Sequence, residues 1–305
     1  MKTPARLGFY VLGLAAAFGA ALGVGALVGP TGSQPASEHA DMKSGGHGDM
    51  KSGAHDEMAG MAHELPGGLS ISADGYTLRP AADTLPAGRE STFRFTITNS
   101  DGRPVTAFTR THEKLLHLII VRRDTSGFQH LHPTLGPDGV WSVPLRLPNA
   151  GDYRVFADFA PSTKDPITLG ADLHAAGAYR PVPLPEPSST ATVDGYTVTV
   201  DGDLKAGASS MLTLSIERNG RPVTDLQPYL GAYGHLVALR HGDLAYLHVH
   251  PDGEPGDGHT RPGPRIRFHA EVPTAGSYRL YLDFRHGGAV HTAEFTMTAG
   301  GHDHQ

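Results

Sequence analysis

A stretch of seventeen residues occurs twice in this chain, and this duplication limits the possible folds more than any other feature. The first copy, HLIIVRRDTSGFQHLHP, begins at His117, and the second, HLVALRHGDLAYLHVHP, begins at His235. The copies align without a gap, and each has one histidine at its start and an H-x-H-P sequence at its end. Imidazole is the commonest side-chain ligand for borderline metals. The repeat therefore predicts a metal-binding hairpin in each half of a duplicated domain.

The segments around this stretch are also duplicated. DGYTLRPAADTLPAG corresponds to DGYTVTVDGDLKAG, and PNAGDYRVFADF corresponds to PTAGSYRLYLDF. Apolar residues alternate with polar ones in FRFTIT and MLTLSI, which is the pattern of half-buried strands. Short strands separated by regular turn signals are typical of a β-sandwich. The sequence predicts an all-β fold with two tandem Ig-like or cupredoxin-like sandwiches, at 67–181 and 188–299, joined by a proline-rich linker at 182–187.

Composition excludes several classes of function. Charged residues make up 18% of the chain, the net charge is −6, and there is no basic run, which argues against a nucleic-acid partner. The chain has no cysteine, and this excludes disulfides, thiolate zinc sites and a blue-copper site. Nineteen histidines leave imidazole as the abundant metal ligand.

Residues 1–30 have the pattern of a membrane anchor or signal segment. Lys2 and Arg6 precede an uncharged apolar run, and the twenty-two residues from Gly8 to Gly29 would span about 33 Å as a helix at about 1.5 Å per residue. This run is longer than a signal-peptide core of about 7–15 residues, which favours a single-pass transmembrane helix over secretion after cleavage. In both cases the positive flank predicts that the remaining chain is extracytoplasmic.

Residues 31–66 form a polar Gly- and Ser-rich stalk that we predict to be disordered. Its eight-residue repeat pairs each histidine with a methionine three positions later, and thioether with imidazole is a ligand set that suits Cu(I). The alternative is a plain flexible stalk. The short tail at 300–305 also contains histidine. The weaker candidate ligands of the stalk are His39, Met42, His47, Met50, His55 and Met58.

In the first domain, three histidines are predicted to lie on one face of a sheet. His130 and His132 are two residues apart, so on a strand they project to the same side. If the tight connection that follows the preceding strand pairs Val121 with His130, then His117 lies on that face as well. A slip of one residue in the register would move it to the opposite face. Three neutral imidazoles suit copper or zinc and leave one position for another ligand.

In the second domain the same spacing and strand pairing group His235 with His248 and His250. His291 on the last hairpin is the expected fourth ligand. Thr168 aligns with His291 in the first domain, where His112 instead precedes the histidine strand. Asp158 and Asp283 match across the repeats, and we expect each to tether a loop. The second domain is the stronger of two predicted sites. The complete set of candidate metal ligands in the domains is His235, His248, His250, His291, His117, His130, His132 and His112.

Three segments carry a family resemblance: HEKLLHLIIVRRDTSGFQHLHP, YLGAYGHLVALRHGDLAYLHVHP and FRHGGAVHTAEFTM. They resemble bacterial exported, histidine-rich proteins described as heavy-metal-associated or YtkA-like β-sandwich proteins. The resemblance covers roughly residues 67 to 299 and implies an exported β-sandwich associated with copper handling. The first domain departs from the pattern because it lacks a counterpart of His291.

These patterns favour a membrane-anchored, extracytoplasmic protein that binds copper, or alternatively zinc, for buffering or for handover to a copper-transport protein. No catalytic motif such as G-x-S-x-G or H-E-x-x-H is present, and we expect no enzyme activity. The alternative is a structural or protein-interaction module of the cell envelope whose histidines are incidental. A histidine-brace copper enzyme would need cleavage directly before His39, which is the one evident route to an N-terminal histidine.

Overall fold

The computed structural model of the chain describes residues 66–162, 164–247 and 249–300. The predicted anchor, the stalk and most of the histidine-containing tail lie outside these residues, and so does His248. Within the described ranges, no element is a helix with the length and apolarity needed to cross a membrane. The all-β prediction of two tandem sandwiches is confirmed.

The first sandwich consists of two sheets whose orders are β1-β2-β4-β9-β8 and β3-β11-β10-β6-β7, with β5 pairing with β10. Its strands are β1 (Ser72–Ala73), β2 (Tyr76–Pro80), β3 (Thr84–Pro86), β4 (Glu90–Thr98), β5 (Phe108–Thr109), β6 (Leu116–Arg122), β7 (Gln129–Leu131), β8 (Thr134–Leu135), β9 (Val140–Arg146), β10 (Gly151–Pro161) and β11 (Ile167–Ala176).

The second sandwich repeats this plan with sheet orders β12-β13-β14-β19-β18 and β17-β16-β20-β21, and β15 pairs with β14. Its strands are β12 (Thr190–Val193), β13 (Tyr196–Asp201), β14 (Ala208–Arg218), β15 (Arg221–Pro222), β16 (Gly234–Arg240), β17 (Tyr246–Leu247), β18 (Val249–Pro251), β19 (Arg265–Val272), β20 (Gly276–His286) and β21 (Ala289–Ala299).

The two sandwiches pack against each other through the sheets that contain β6 and β16. Each sandwich has its own core, and a third apolar cluster joins residues from both. Even residues of β6, such as Leu118, face the core of the first sandwich, whereas the odd residues from His117 onward face the second sandwich. The members of the third cluster are Ile119, Val121, Phe156, Val237, Leu239, Leu244, Tyr246 and Tyr281, with Phe128 packed against it.

The flanking segments also hold the sandwiches in place. The backbone N–H of Val182, in the proline-rich linker, donates to the Asp124 carboxylate at 2.7 Å, so the linker is attached to the first sandwich. At the start of the described chain, the backbone N–H of Tyr246 donates to the carbonyl oxygen of Gly67 at 3.0 Å. The N–H of Gly68 donates to the oxygen of Thr168 at 2.9 Å. Residues 67 and 68 therefore lie across both sandwiches.

Candidate metal site between the two sandwiches

Three histidines of the first sandwich form a compact cluster on the face that packs against the second. His117 lies on β6, His130 on β7, and His132 directly after β7, where the chain leaves this sheet for the other. Their ring centroids are 4.9 to 5.2 Å apart, and one potential ligand nitrogen from each lies within 4.8 Å of the others. The structure thus brings together the three residues that the first copy of the repeat predicts.

The register of the hairpin differs from the expected one by two residues. His130 pairs with Ile119 rather than with Val121. A shift by an even number of residues leaves every side chain on its predicted face, because the side-chain period of a strand is two. His117 therefore still shares a face with His130, and its Nδ1 lies 3.0 Å from His130 Nε2.

His117 and His130 each use one ring nitrogen, here called the outer nitrogen, for a hydrogen bond to a residue outside the cluster. The other ring nitrogen of each, the inner nitrogen, faces the neighbouring histidine. His117 Nε2 lies 3.1 Å from the carbonyl oxygen of Thr111, and His130 Nδ1 lies 2.8 Å from Oδ2 of Asp283. Both partners are acceptors, so both outer nitrogens donate. In the neutral rings the inner nitrogens then carry lone pairs that face each other. Such a contact is favourable only when a cation lies between the nitrogens.

The surroundings of His132 are compatible with a metal ion at this position. Its Nε2 is buried and has no hydrogen-bond partner among the described residues, which is costly for a polar atom. A single proton cannot bind three nitrogens, but one metal ion can. The 3.0 Å separation between the inner nitrogens of His117 and His130 is close to the roughly 3.3 Å expected in a tetrahedral site with Zn–N bonds of about 2.0–2.1 Å. The three residues fit a metal ion.

Burial disfavours the protonated form of three histidines at or beside the cluster. Burial, together with the neighbouring His130, lowers the pKa of His117, His132 and His235 to about 3. Because a metal competes with protons for imidazole nitrogen, a low pKa leaves the lone pair available at neutral pH.

His235 of the second sandwich lies beside this cluster rather than in a separate site. Its ring centroid is 6.3 Å from that of His117, 6.2 Å from that of His130 and 5.2 Å from that of His112. Its Nε2 donates to the carbonyl oxygen of Leu230 at 3.0 Å, much as His117 donates to Thr111. A cavity of about 30 Å³, enough for an ion or a water molecule, is lined by His112, His117, His130, Asp158, His235, Leu236, Val237, Tyr246 and Val249.

The prediction of an independent site in the second domain is wrong for the residues that the structure describes. His250 lies on β18, which pairs with β19 in the other sheet, and its side chain is exposed. His291 lies opposite Phe284, whereas His235 lies opposite Asp283. Consecutive residues of a strand point to opposite faces, so His291 and His235 are on different sides of the sheet. His248 lies outside the described residues.

His291 instead belongs to a separate hydrogen-bonded group. Its Nδ1 lies 2.8 Å from Oδ2 of Asp194 and its Nε2 lies 3.3 Å from the carbonyl oxygen of His286. The alignment of His291 with Thr168 is also wrong. Thr168 pairs with Asp158 as Thr292 pairs with Asp283, because the first sandwich has a connection between these strands that is one residue longer.

The matched aspartates do not tether loops as expected. Asp283 accepts the hydrogen bond from His130 of the other sandwich, and Asp158 bonds the Tyr246 hydroxyl, which also belongs to the other sandwich. Tyr229 lies near the cluster as well, 5.9 Å from His235 between centroids, and burial together with Asp283 raises its pKa to about 12. The recurrence of an Asp at the same position in both repeats, within β10 and β20, is the sequence signal that could have indicated this role.

Comparison with known protein families supports the duplication. The sequence profile described as Domain of unknown function (DUF8832) matches residues 71–177 and again 191–301. No curated protein matches the chain. Among solved structures, the Escherichia coli adhesin FdeC is similar at 18% identity and a TM-score of 0.26, covering 76% of this chain and 66% of the adhesin. The Yersinia pseudotuberculosis adhesin InvE is similar at 14% identity and a TM-score of 0.24, covering 76% of this chain and 60% of InvE.

Proposed function

The chain belongs to the DUF8832 family, whose domain it contains twice, and we propose that it binds a metal ion at the histidine cluster between its two domains. The observation that carries this proposal is the arrangement of His117, His130 and His132. Two inner nitrogens face each other at 3.0 Å while both outer nitrogens donate, and the third ring has a buried nitrogen without a partner.

Copper is the metal we propose, with zinc as the alternative. Neutral imidazoles suit both ions, and the histidine and methionine repeat of the stalk is a ligand set for Cu(I). The residue that follows the stalk, Gly67, is hydrogen-bonded to Tyr246, which lines the cavity beside the cluster. This attachment supports a role in which an extracytoplasmic, membrane-anchored stalk captures copper and the folded domains hold it for buffering or for handover to a transport protein.

The site favours binding over catalysis. Its cavity of about 30 Å³ has room for an ion or a water molecule but not for an organic substrate. A module for structure or protein interaction in the cell envelope remains the alternative function, since a tandem β-sandwich is equally suited to it. That alternative requires the histidine cluster to have no measurable affinity for metal.

The test is a titration of the full-length chain with Cu²⁺ and with Zn²⁺ against a competing chelator. We expect His132→Gln to lower the affinity of the tightest site by more than about 100-fold, beyond the 10–100-fold typical of second-shell changes, because it removes a ligand. The matched control is His241→Gln, which changes an exposed histidine of the second domain. The stalk is present in all three proteins, so its contribution cancels.

Electron paramagnetic resonance of the Cu²⁺ form gives a second readout. The wild-type spectrum should contain a species with three nitrogen ligands that is absent from the His132→Gln spectrum. Equal affinities and equal spectra for the wild type and His132→Gln would exclude the cluster as a metal site and would favour the interaction module.

A further inference from the structure

The hydrogen bond that orients His130 crosses from one sandwich to the other. His130 belongs to the first sandwich, and its Nδ1 donates to Oδ2 of Asp283 in the second at 2.8 Å. Both side chains are almost completely buried, at 5% and 4% exposure. In this shielded position the bond is weakened little by water or salt. The outer hydrogen bond of a candidate ligand is therefore also a contact of the domain interface.

Asp283 is held in position by its own sandwich. The hydroxyl of Thr292, its partner across β20 and β21, donates to Oδ1 at 2.6 Å, which leaves Oδ2 for His130. Each carboxylate oxygen thus accepts one donor, Oδ1 from the second sandwich and Oδ2 from the first. The carboxylate is fixed before any ion binds.

The interface contains a second contact of this kind that does not involve a candidate ligand. Asp158, the counterpart of Asp283, accepts from Thr168 at 3.2 Å within its own sandwich and bonds the hydroxyl of Tyr246 from the other. The two aspartates make equivalent contacts across the interface, Asp283 with a histidine of the cluster and Asp158 with a tyrosine. Across the interface, Asp283 is thus the aspartate whose hydrogen bond reaches a candidate ligand directly.

We infer that a metal ion bound by His117, His130 and His132 stabilises the interface between the two sandwiches. It does so through the hydrogen bond from His130 to Asp283. This inference rests on the proposed function. A cation on Nε2 of His130 makes its Nδ1–H a stronger donor, and the carboxylate in turn makes the imidazole a better ligand. Coupling between two equilibria is reciprocal, so the ion stabilises the interface by the same factor by which the interface raises metal affinity. Asp283 is a positioning residue in this arrangement.

The test compares Asp283→Asn with Asp194→Asn in the full-length chain, with Zn²⁺ as the probe. Asp194 is a matched control because it accepts from His291 Nδ1 at the same 2.8 Å in the second sandwich, away from the cluster. We expect Asp283→Asn to lower zinc affinity about 10–100-fold and Asp194→Asn to leave it unchanged. Circular dichroism and unfolding without metal establish that both variants are folded.

Hydrogen exchange in the second sandwich gives a readout that a purely structural role would not change. In the wild type, Zn²⁺ at about 100 times its Kd should slow opening of the interface strands β16 and β20 by up to about 100-fold. In Asp283→Asn this metal-dependent protection should be lost, whereas β6 of the first sandwich should still be protected. Thr292→Val, which removes only the hydroxyl bonded to Asp283, should give a smaller loss of the same kind and replaces Asp283→Asn if that variant does not fold.

The failure of the inference and the failure of the proposed function are distinguishable. Wild-type zinc affinity in Asp283→Asn, with unchanged protection of β16 and β20, would overturn the coupling while leaving the metal site intact. A different pair of results would overturn the metal site, and the inference with it. In that case zinc would protect neither sandwich of the wild-type chain from hydrogen exchange, and His132→Gln would have the same zinc affinity as the wild type.

Discussion

Acidification of the metal-free protein from pH 7 to pH 5 is expected to lower its free energy of unfolding by about 4 kcal/mol through His117 and His235 alone. Burial lowers the pKa of each from 6.5 to about 3 in the folded state. Below about pH 6.5 the unfolded chain binds protons that the folded chain cannot, so stability falls as the pH falls toward 3. Each histidine contributes up to about 1.4 kcal/mol per pH unit in that window, or about 2 kcal/mol between pH 7 and pH 5.

The measurement is urea unfolding at pH 7, 6 and 5 in the presence of a chelator, followed by circular dichroism. A double variant, His117→Gln with His235→Gln, should show a much flatter pH dependence because glutamine does not titrate. His241→Gln is the control, since that side chain is exposed. Stability that is constant between pH 7 and pH 5 in the wild type would contradict the burial of neutral imidazoles at the interface.

The individual sandwiches could be predicted from the sequence because their signals are local. Alternation of apolar and polar residues in FRFTIT and MLTLSI depends only on which face of a strand is buried, and both segments lie in strands, β4 and β14, as expected. The two-residue spacing of His130 and His132 has the same basis. Such signals indicate where a strand lies and which side chains share its face.

The merging of two predicted sites into one could not be predicted in this way. It depends on which surfaces of the two sandwiches meet, and that is decided by contacts between residues far apart in the chain. One indication was present in the repeated stretch itself. LHLIIV and HLVAL are nearly continuous apolar runs, which are typical of strands covered on both faces, and β6 is buried along its whole length. The outer faces of these strands are the ones that form the interface.

The position of His291 shows a different limit. The chain between Asp158 and Thr168 is one residue longer than the chain between Asp283 and Thr292, and the register assigns the extra residue to the connection. Because a strand alternates faces at every residue, an alignment error of one position exchanges the two faces. Thus His291 was expected beside His235, whereas it faces the other side of its sheet next to Tyr196 and Phe284.

Tyr281→Ala is expected to lower the free energy of unfolding by about 3–5 kcal/mol, as for the loss of a large aromatic side chain from a core. The Tyr281 ring is fully buried and stacks on Phe128 of the other sandwich at 4.0 Å between centroids and 6° between planes. Its hydroxyl donates to the carbonyl oxygen of Thr125 at 2.6 Å, also across the interface. The variant therefore loses packing and leaves that carbonyl without this donor.

The control for this variant is Tyr179→Ala, which removes a tyrosine that is 48% exposed and whose ring faces the Arg122 guanidinium at 5.5 Å. It should cost about 1 kcal/mol or less. If the sandwiches were independent bodies on a flexible linker, Tyr281 would be a surface residue and both variants would have similarly small effects in urea unfolding. A large loss for Tyr281→Ala alone means that the two sandwiches unfold as one unit. The hydrogen bond from His130 to Asp283 lies in the same interface as Tyr281.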